Sequence, residues 1–335
     1  MPRSASAGDT GGAVSLRDAV LRSLNRYGIV MAYGLLIVAV AAQSDRFLTK
    51  QNWLNLLDQA APLGLIAVGV TLCIIAGIFD LSTGAIFAVA AVTAAKVAAV
   101  DPWLGIAVGV GVGTLAGLLN AAVMLTTGIN SFIGTLSTSI VFRGIALLTT
   151  SGLIVSVADA DYKILGTRTF ADAKLSAWIF AAVAVIGGLA LARTTLGRSL
   201  YAIGGNAQAA RLVGIRVGAV RTIAYAFSGT CAGLAGVLTS SRTGSAQADI
   251  GLGLELAAIT AVVVGGTSIF GGEGAVWRTA VGVMLLQTIG NAFNLLGVDP
   301  TYKQVVQGIL VLLAVSIDHF GQKRSFRTRG RKADD

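Results

Sequence analysis

Long apolar runs broken by short polar stretches set the pattern of this chain. A helix needs roughly 20 apolar residues to cross ~30 Å of hydrocarbon. On that scale the sequence predicts ten spans, at about 28–43, 59–77, 81–99, 103–125, 129–150, 176–192, 222–241, 254–270, 275–296 and 302–319. Several are short or run into each other. The region 59–99 reads either as two spans or as one span followed by a re-entrant helix, so nine to eleven spans fit the pattern. The fold class this predicts is an all-α polytopic membrane protein of about ten transmembrane helices.

The polar stretches divide the chain. Residues 1–27 are rich in Ser, Gly and Arg and read as a disordered tail, with room for a short helix over 15–25. Residues 28–320 form the membrane domain and 321–335 a basic tail. The first apolar run ends Ala39–Val40–Ala41, a cleavage-like pattern, but its long charged leader favours an uncleaved span. Segment 44–58, with Phe47, Trp53, Leu56 and Leu57, reads as an interfacial piece with an aromatic anchor. Segment 151–175, holding Asp159, Asp161 and Asp172, is the longest and most acidic external loop.

Composition agrees with lipid as the outer solvent. The chain is 55% hydrophobic and 12% charged, where a soluble domain carries about 25% charged residues. Its 43 Gly suit helices whose backbones approach closely in a bilayer. His319 is the single histidine, and Cys73 and Cys231 both lie inside apolar runs. That spacing offers neither a metal site nor a disulfide framework.

The net charge of +9 is uneven, and its distribution fits a membrane surface and not nucleic acid. Fifteen of the 25 basic residues fall in the N-terminal tail (Arg3, Arg17, Arg22, Arg26), in loop 194–221 and its border, and in the C-terminal tail from Lys323 to Lys332. With an even number of spans these segments share one side. The excess of Lys and Arg predicts that this side, with both termini, is cytoplasmic.

The loop 194–221 is the most informative stretch. Gly204–Gly205–Asn206 is a turn signal. Asn206 can cap a helix by accepting from its first free amides. Residues 207–213 favour helix, and Gly214 can stop it. A helix of two turns is marginal in water, so it rests either on headgroups or in the groove of a partner. The second reading makes it a coupling helix, carried by Gly204, Gly205, Asn206, Ala209, Ala210, Arg211, Leu212, Gly214 and Ile215.

Four blocks, in order, carry a family resemblance. The loop sequence GRSLYAIGGNAQAARLVGI resembles the cytoplasmic loop of the ribose/xylose/galactose-type permeases of bacterial ABC importers. Residues 76–86, AGIFDLSTGAI, resemble the family's Gly-Ile-Asp-Leu-Ser-x-Gly block. Residues 117–144 resemble its Gly-x-x-Asn…Phe-Ile…Thr-Leu…Arg-Gly block, and residues 251–276 its Gly-x-Glu-Leu…Gly-Gly-Thr-Ser-x-x-Gly-Gly-x-Gly block. The match covers about 60–320. Two residues depart from it: Phe79, where the family often has Gly before Ile-Asp, and Arg278, which follows Trp277 where a small residue is usual.

The resemblance implies an ABC importer permease fold in the bacterial inner membrane, importing a small polar solute, a monosaccharide above all. It implies a second permease chain, an extracytoplasmic solute-binding protein, and an ATPase subunit contacted by the coupling loop. ATP is then used by that partner. The chain itself has no Gly-Lys-Ser/Thr phosphate loop and binds no cofactor on this reading. Candidate pathway residues are Asp80, Asn120, Phe132, Thr135, Arg143, Glu255 and Asn291. Each also has a structural reading: Asp80 and Glu255 as helix-terminal acids, Arg143 as an interfacial anchor, and the amides and hydroxyls as bonds between helices. The alternative is an ion-coupled secondary transporter. That class would bury acids at mid-membrane, whereas Asp80, Glu255 and Asp318 are expected near span ends.

Overall fold

The computed structural model describes residues 16–299, with 16–27 as backbone alone, and 301–316 apart from 303, 304, 311, 314 and 315. Asp318, His319 and the basic C-terminal tail lie outside the described residues, as do the first 15 residues.

The chain is a helix bundle. In order it runs α1 (Leu16–Ala41), α2 (Lys50–Ile75), α3 (Thr83–Ala98), α4 (Pro102–Thr127), α5 (Ser131–Thr150), β1 (Val155–Ser156), α6 (Ala160–Thr167), β2 (Thr169–Phe170), β3 (Ala173–Lys174), α7 (Leu175–Arg193), α8 (Thr195–Gly205), α9 (Ala207–Leu212), α10 (Val217–Thr243), β4 (Ser245–Ala246), α11 (Leu254–Val264) and α12 (Val276–Leu295). Among the described residues, α2, α4, α5, α7 and α10 are long and apolar enough to cross a bilayer.

Caps fix several boundaries. Asp101 accepts from the Leu104 amide at 2.8 Å, and Pro102 fills the first helical position of α4, where its missing N–H costs nothing. Asn130 accepts from Phe132 at 2.9 Å to start α5. Gly128 ends α4 at φ 69°, a conformation that favours glycine.

Three expected boundaries change. Segment 44–58 is not a separate interfacial piece: residues from Lys50 onward are the first turns of α2. The short helix expected over 15–25 is continuous with the first span as α1. The run 254–270 yields only the 11-residue α11, about 16 Å long, because Gly265 and Gly266 (φ 85°) end it.

Helices α2, α3 and α10 form the centre, and α3 is buried along nearly its whole length. α4 lies on α10 through small residues. A Cβ at Gly113 would fall on the backbone of Gly229 and Gly233, and one at Gly117 on the carbonyl of Tyr225. This is close packing of the small-xxx-small kind, which replaces the hydrophobic drive that lipid does not supply. Thr114 and Thr230 add a hydroxyl pair at 2.8 Å across the same interface.

One end of the bundle carries α6 and both small sheets, β1–β4 and β2–β3, each antiparallel. There Asp58, nearly buried, accepts from Ser176 at 2.5 Å and faces Lys174 and Arg242, each at 3.6 Å. Tyr162 of α6 is fully buried and shares a 2.6 Å hydrogen bond with Ser240 of α10. The opposite end carries α8 and α9.

Candidate functional site

At the α8–α9 end the short helix and its cap form as the loop sequence predicts. Asn206 accepts from the amides of Gln208 and Ala209 at 3.0 and 2.9 Å, capping α9. Gly214 (φ 85°) ends it. Gly204 and Gly205 are not a turn, however. They are the last residues of α8, and the chain bends only at Asn206. Ala210 faces inward, packed with Ile203 and Val217, and Ile215 joins that cluster. Ala209, Arg211 and Gly214 face outward with Leu212 and Val213, which are 88% and 78% exposed.

Four glycines from three segments meet beneath this helix. The Gly272 amide donates to the Ile75 carbonyl, the last of α2, at 3.0 Å. A Cβ on Gly204 would fall onto that same carbonyl and onto the Gly272 amide. Gly77 (φ 68°) lies against the Gly204 Cα, and a Cβ on Gly271 (φ 87°) would come within 3.0 Å of the Gly77 Cα. The end of α8, the end of α2 and the loop after α11 therefore touch backbone to backbone.

From Gly77 the chain doubles back into the bundle. Asp80 has no solvent exposure. Its Oδ1 accepts from the Ser82 amide (3.1 Å) and hydroxyl (2.6 Å), and its Oδ2 accepts from Ser228 of α10 (2.8 Å). Gly69 of α2 packs on that same Ser228, so Asp80 sits at the level of Gly69, roughly 9 Å back along α2 from Ile75. Asp80 does lie at a helix end, as expected, but that end is inside the bundle.

Side chains from α4, α5 and α10 hold the break between α2 and α3. Asn120 Nδ2 donates to Ser82 Oγ at 2.6 Å. Ser131 and Thr135 accept from the amides of Phe79 and Leu81, each at 3.0 Å. Tyr225 donates to the Phe79 carbonyl at 3.3 Å. Backbone groups freed by a broken helix must find such partners where water is absent.

A second half-length helix, α11, begins beside the first. Glu255, in its first turn, lies against Gly84 of α3, where a Cβ would meet Glu255 Oε2 and the Gly251 carbonyl. Each N-terminus carries a partial positive charge that favours an adjacent acid, and each has one, Asp80 and Glu255. Thr83 Oγ1, Asn120 Oδ1 and Glu255 Oε2 are buried without hydrogen-bond partners among the described residues.

The structure thus brings Asp80, Asn120 and Thr135 together and sets Glu255 against the first turn of α3. Phe132 reaches the group only through an edge-on contact with Phe79, at 6.0 Å between centroids. Arg143 reaches from α5 to the carbonyls of Ala248 and Ile250 at 2.8 and 2.9 Å, pinning the loop before α11. Asn291 stands apart and exchanges two hydrogen bonds with Asn52, at 2.8 and 3.1 Å. Sequence reading missed Ser82, Thr83 and Ser228. Ser82 and Thr83 lie within the block that identified Asp80, so their place beside it was open to notice; Ser228, in an ordinary apolar run, gave no signal.

Interrupted helices with paired polar side chains inside a bundle of apolar spans define a multi-pass membrane protein of the transporter kind. Residues 52–315 match the family described as the branched-chain amino acid transport system / permease component, and the chain belongs to that family. It is similar to the ribose import permease protein of Bacillus subtilis (strain 168), 39% identical over 305 residues that cover 90% of this chain and 94% of the relative. The L-arabinose transport system permease protein of Escherichia coli (strain K12) is 36% identical over 304 residues, 90% of this chain and 93% of the relative. The D-allose transport system permease protein of the same organism is 34% identical over 303 residues, 89% and 93%. No solved structure matches the chain.

Proposed function

We propose that this chain is the membrane-spanning permease subunit of an ATP-driven importer, and that its cargo is a monosaccharide. The single observation that carries this is the likeness, over nine-tenths of the chain, to permeases named for ribose, L-arabinose and D-allose. On this reading about ten spans cross the inner membrane, with both termini and α9 in the cytoplasm.

The contacts support a mechanism for it. An ATPase subunit grips the exposed face of α9, through Ala209, Arg211, Leu212 and Val213. Movement of α8 then presses Gly204 against the end of α2 and the Gly271–Gly272 loop. The end of α2 leads through Gly77 to the interior start of α3, and the Gly271–Gly272 loop joins the end of α11 to the start of α12, so the push reaches α3 at its interior end and α11 at its far end. Thr83, Asn120 and Glu255 offer a sugar two acceptors and a hydroxyl there, and a passing solute satisfies groups that otherwise lack partners. A binding protein delivers the solute to the end capped by α6, and a second permease chain completes the pathway.

Reconstitution tests the function. Proteoliposomes holding the chain, its ATPase partner and the binding protein should accumulate labelled pentose or hexose only with ATP on the ATPase side. Uptake by the chain alone, driven by a proton or sodium gradient, would replace this reading with the secondary-transporter one.

A further inference from the structure

Beside the central helices lies a cavity of about 700 Å³ between α7 and α12, floored by Leu57 of α2 and lined almost wholly by apolar side chains, among them Phe180, Ala184, Ala280 and Met284. Its volume is in the roughly 300–1,000 Å³ range of small-molecule sites. It is distinct from the interior helix ends and touches neither Asp80 nor Glu255. At the α8–α9 end it closes on Tyr201 and Trp277. Trp277 is 47% exposed, and the Arg278 guanidinium lies over its ring, 5.7 Å from the centroid.

Arg278 is one of the two residues that depart from the family pattern, and its surroundings leave it unneutralised. Among the described residues no carboxylate forms an ion pair with it, its Nε is buried without a hydrogen-bond partner, and its Nη1 makes only a long 3.4 Å contact to the Gly266 carbonyl. Arg193, the last residue of α7, and Arg198 of α8 add exposed positive charge at the same end. A greasy trough with an aromatic rim, and a cation without a carboxylate partner beside that rim over Trp277, has the complementarity of a phospholipid: acyl chain along the trough, anionic headgroup on the guanidinium. Basic pockets between spans take anionic headgroups, and Trp and Tyr settle at the same level of the bilayer.

We infer that the α7–α12 groove is a binding site for an anionic phospholipid, with Arg278 holding its phosphate and Phe180, Ala184, Ala280 and Met284 holding a chain. The site requires only that the chain lies in a membrane. It is independent of the cargo and of ATP coupling, so it stands or falls apart from the proposed function.

The test is native mass spectrometry of the full-length chain in detergent, titrated with phosphatidylglycerol or with phosphatidylethanolamine. One basic contact near a membrane surface is worth about 1 kcal/mol, so phosphatidylglycerol should be retained about fivefold more strongly. Arg278→Gln should abolish that preference, and Arg278→Lys should keep most of it. Ala184→Phe should weaken retention of both lipids. Equal retention of the two lipids by the parent chain would overturn the inference, as would a preference unchanged in Arg278→Gln. So would cross-linking of Ala184→Cys to a second copy, which would make the groove an interface between chains.

Discussion

The amide of Gly272 donates to the carbonyl of Ile75 at 3.0 Å, and Gly204 passes so close that a methyl group there would occupy the same space. Gly205, one residue later, has nothing within 4 Å of its Cβ position. The two neighbours therefore separate packing from coupling. Gly204→Val should lower ATP-driven uptake at least about tenfold and cost roughly 1–3 kcal/mol through overpacking. Gly205→Ala should transport normally. Parallel uptake and ATPase measurements on both variants decide this; equal behaviour of the two would remove the glycine junction from the mechanism.

Asp80 satisfies three donors from Ser82 and Ser228. Asp80→Asn keeps an acceptor for Ser82 and should fold with a modest loss. Asp80→Leu leaves buried donors unpaired, at about 1–3 kcal/mol each, and should lower the unfolding temperature by several degrees or prevent accumulation in the membrane. Thermal unfolding in detergent reads the difference.

Arg143 holds the carbonyls of Ala248 and Ile250. Hydrogen bonds to a charged group are worth about 1.5–3 kcal/mol. Arg143→Ala should raise hydrogen exchange of residues 245–253, the segment that positions Glu255, and leave α4 and α10 unchanged.

At the end that carries α6 and the two small sheets, Lys50 donates to exposed Asp172 at 2.7 Å, and this hydrogen bond holds the Asp172 carboxyl below the usual carboxylate range. A carboxyl lowered by folding stabilises the fold above its ordinary pKa, and that contribution disappears as pH falls through the lowered value. The tie between α2 and the β2–β3 hairpin should therefore hold near neutrality and loosen only in acid, and sooner in high salt. Hydrogen exchange of residues 169–174 against pH checks the direction, with Lys50→Ala as the pH-independent control.

The sequence made the class, the positions of most long helices and the α9 cap legible because each rests on local pattern: apolar length, an Asn before helix formers, a Gly after them. It could not separate Gly204 from Gly205, because the difference lies in Ile75 and Gly272, which are remote in sequence. Asp58, assigned to an interfacial segment, proved to be nearly buried with Ser176, Lys174 and Arg242 around it. The apolar run 254–270 looked like a span because composition does not reveal that Gly265 and Gly266 end the helix after 11 residues. Asn291 and Asn120 are the same residue type in similar apolar runs. Only the fold shows that one locks α12 to α2 while the other leaves an oxygen unpaired beside α3.

Leu212→Cys offers the sharpest measurement. The native Cys73 and Cys231 are buried, while position 212 is open, so an impermeant maleimide reports on α9 alone. It should react in inside-out vesicles, not in intact cells, and the ATPase subunit should shield it. Reaction from the cell exterior, or labelling indifferent to the ATPase, would contradict α9 as the docking element.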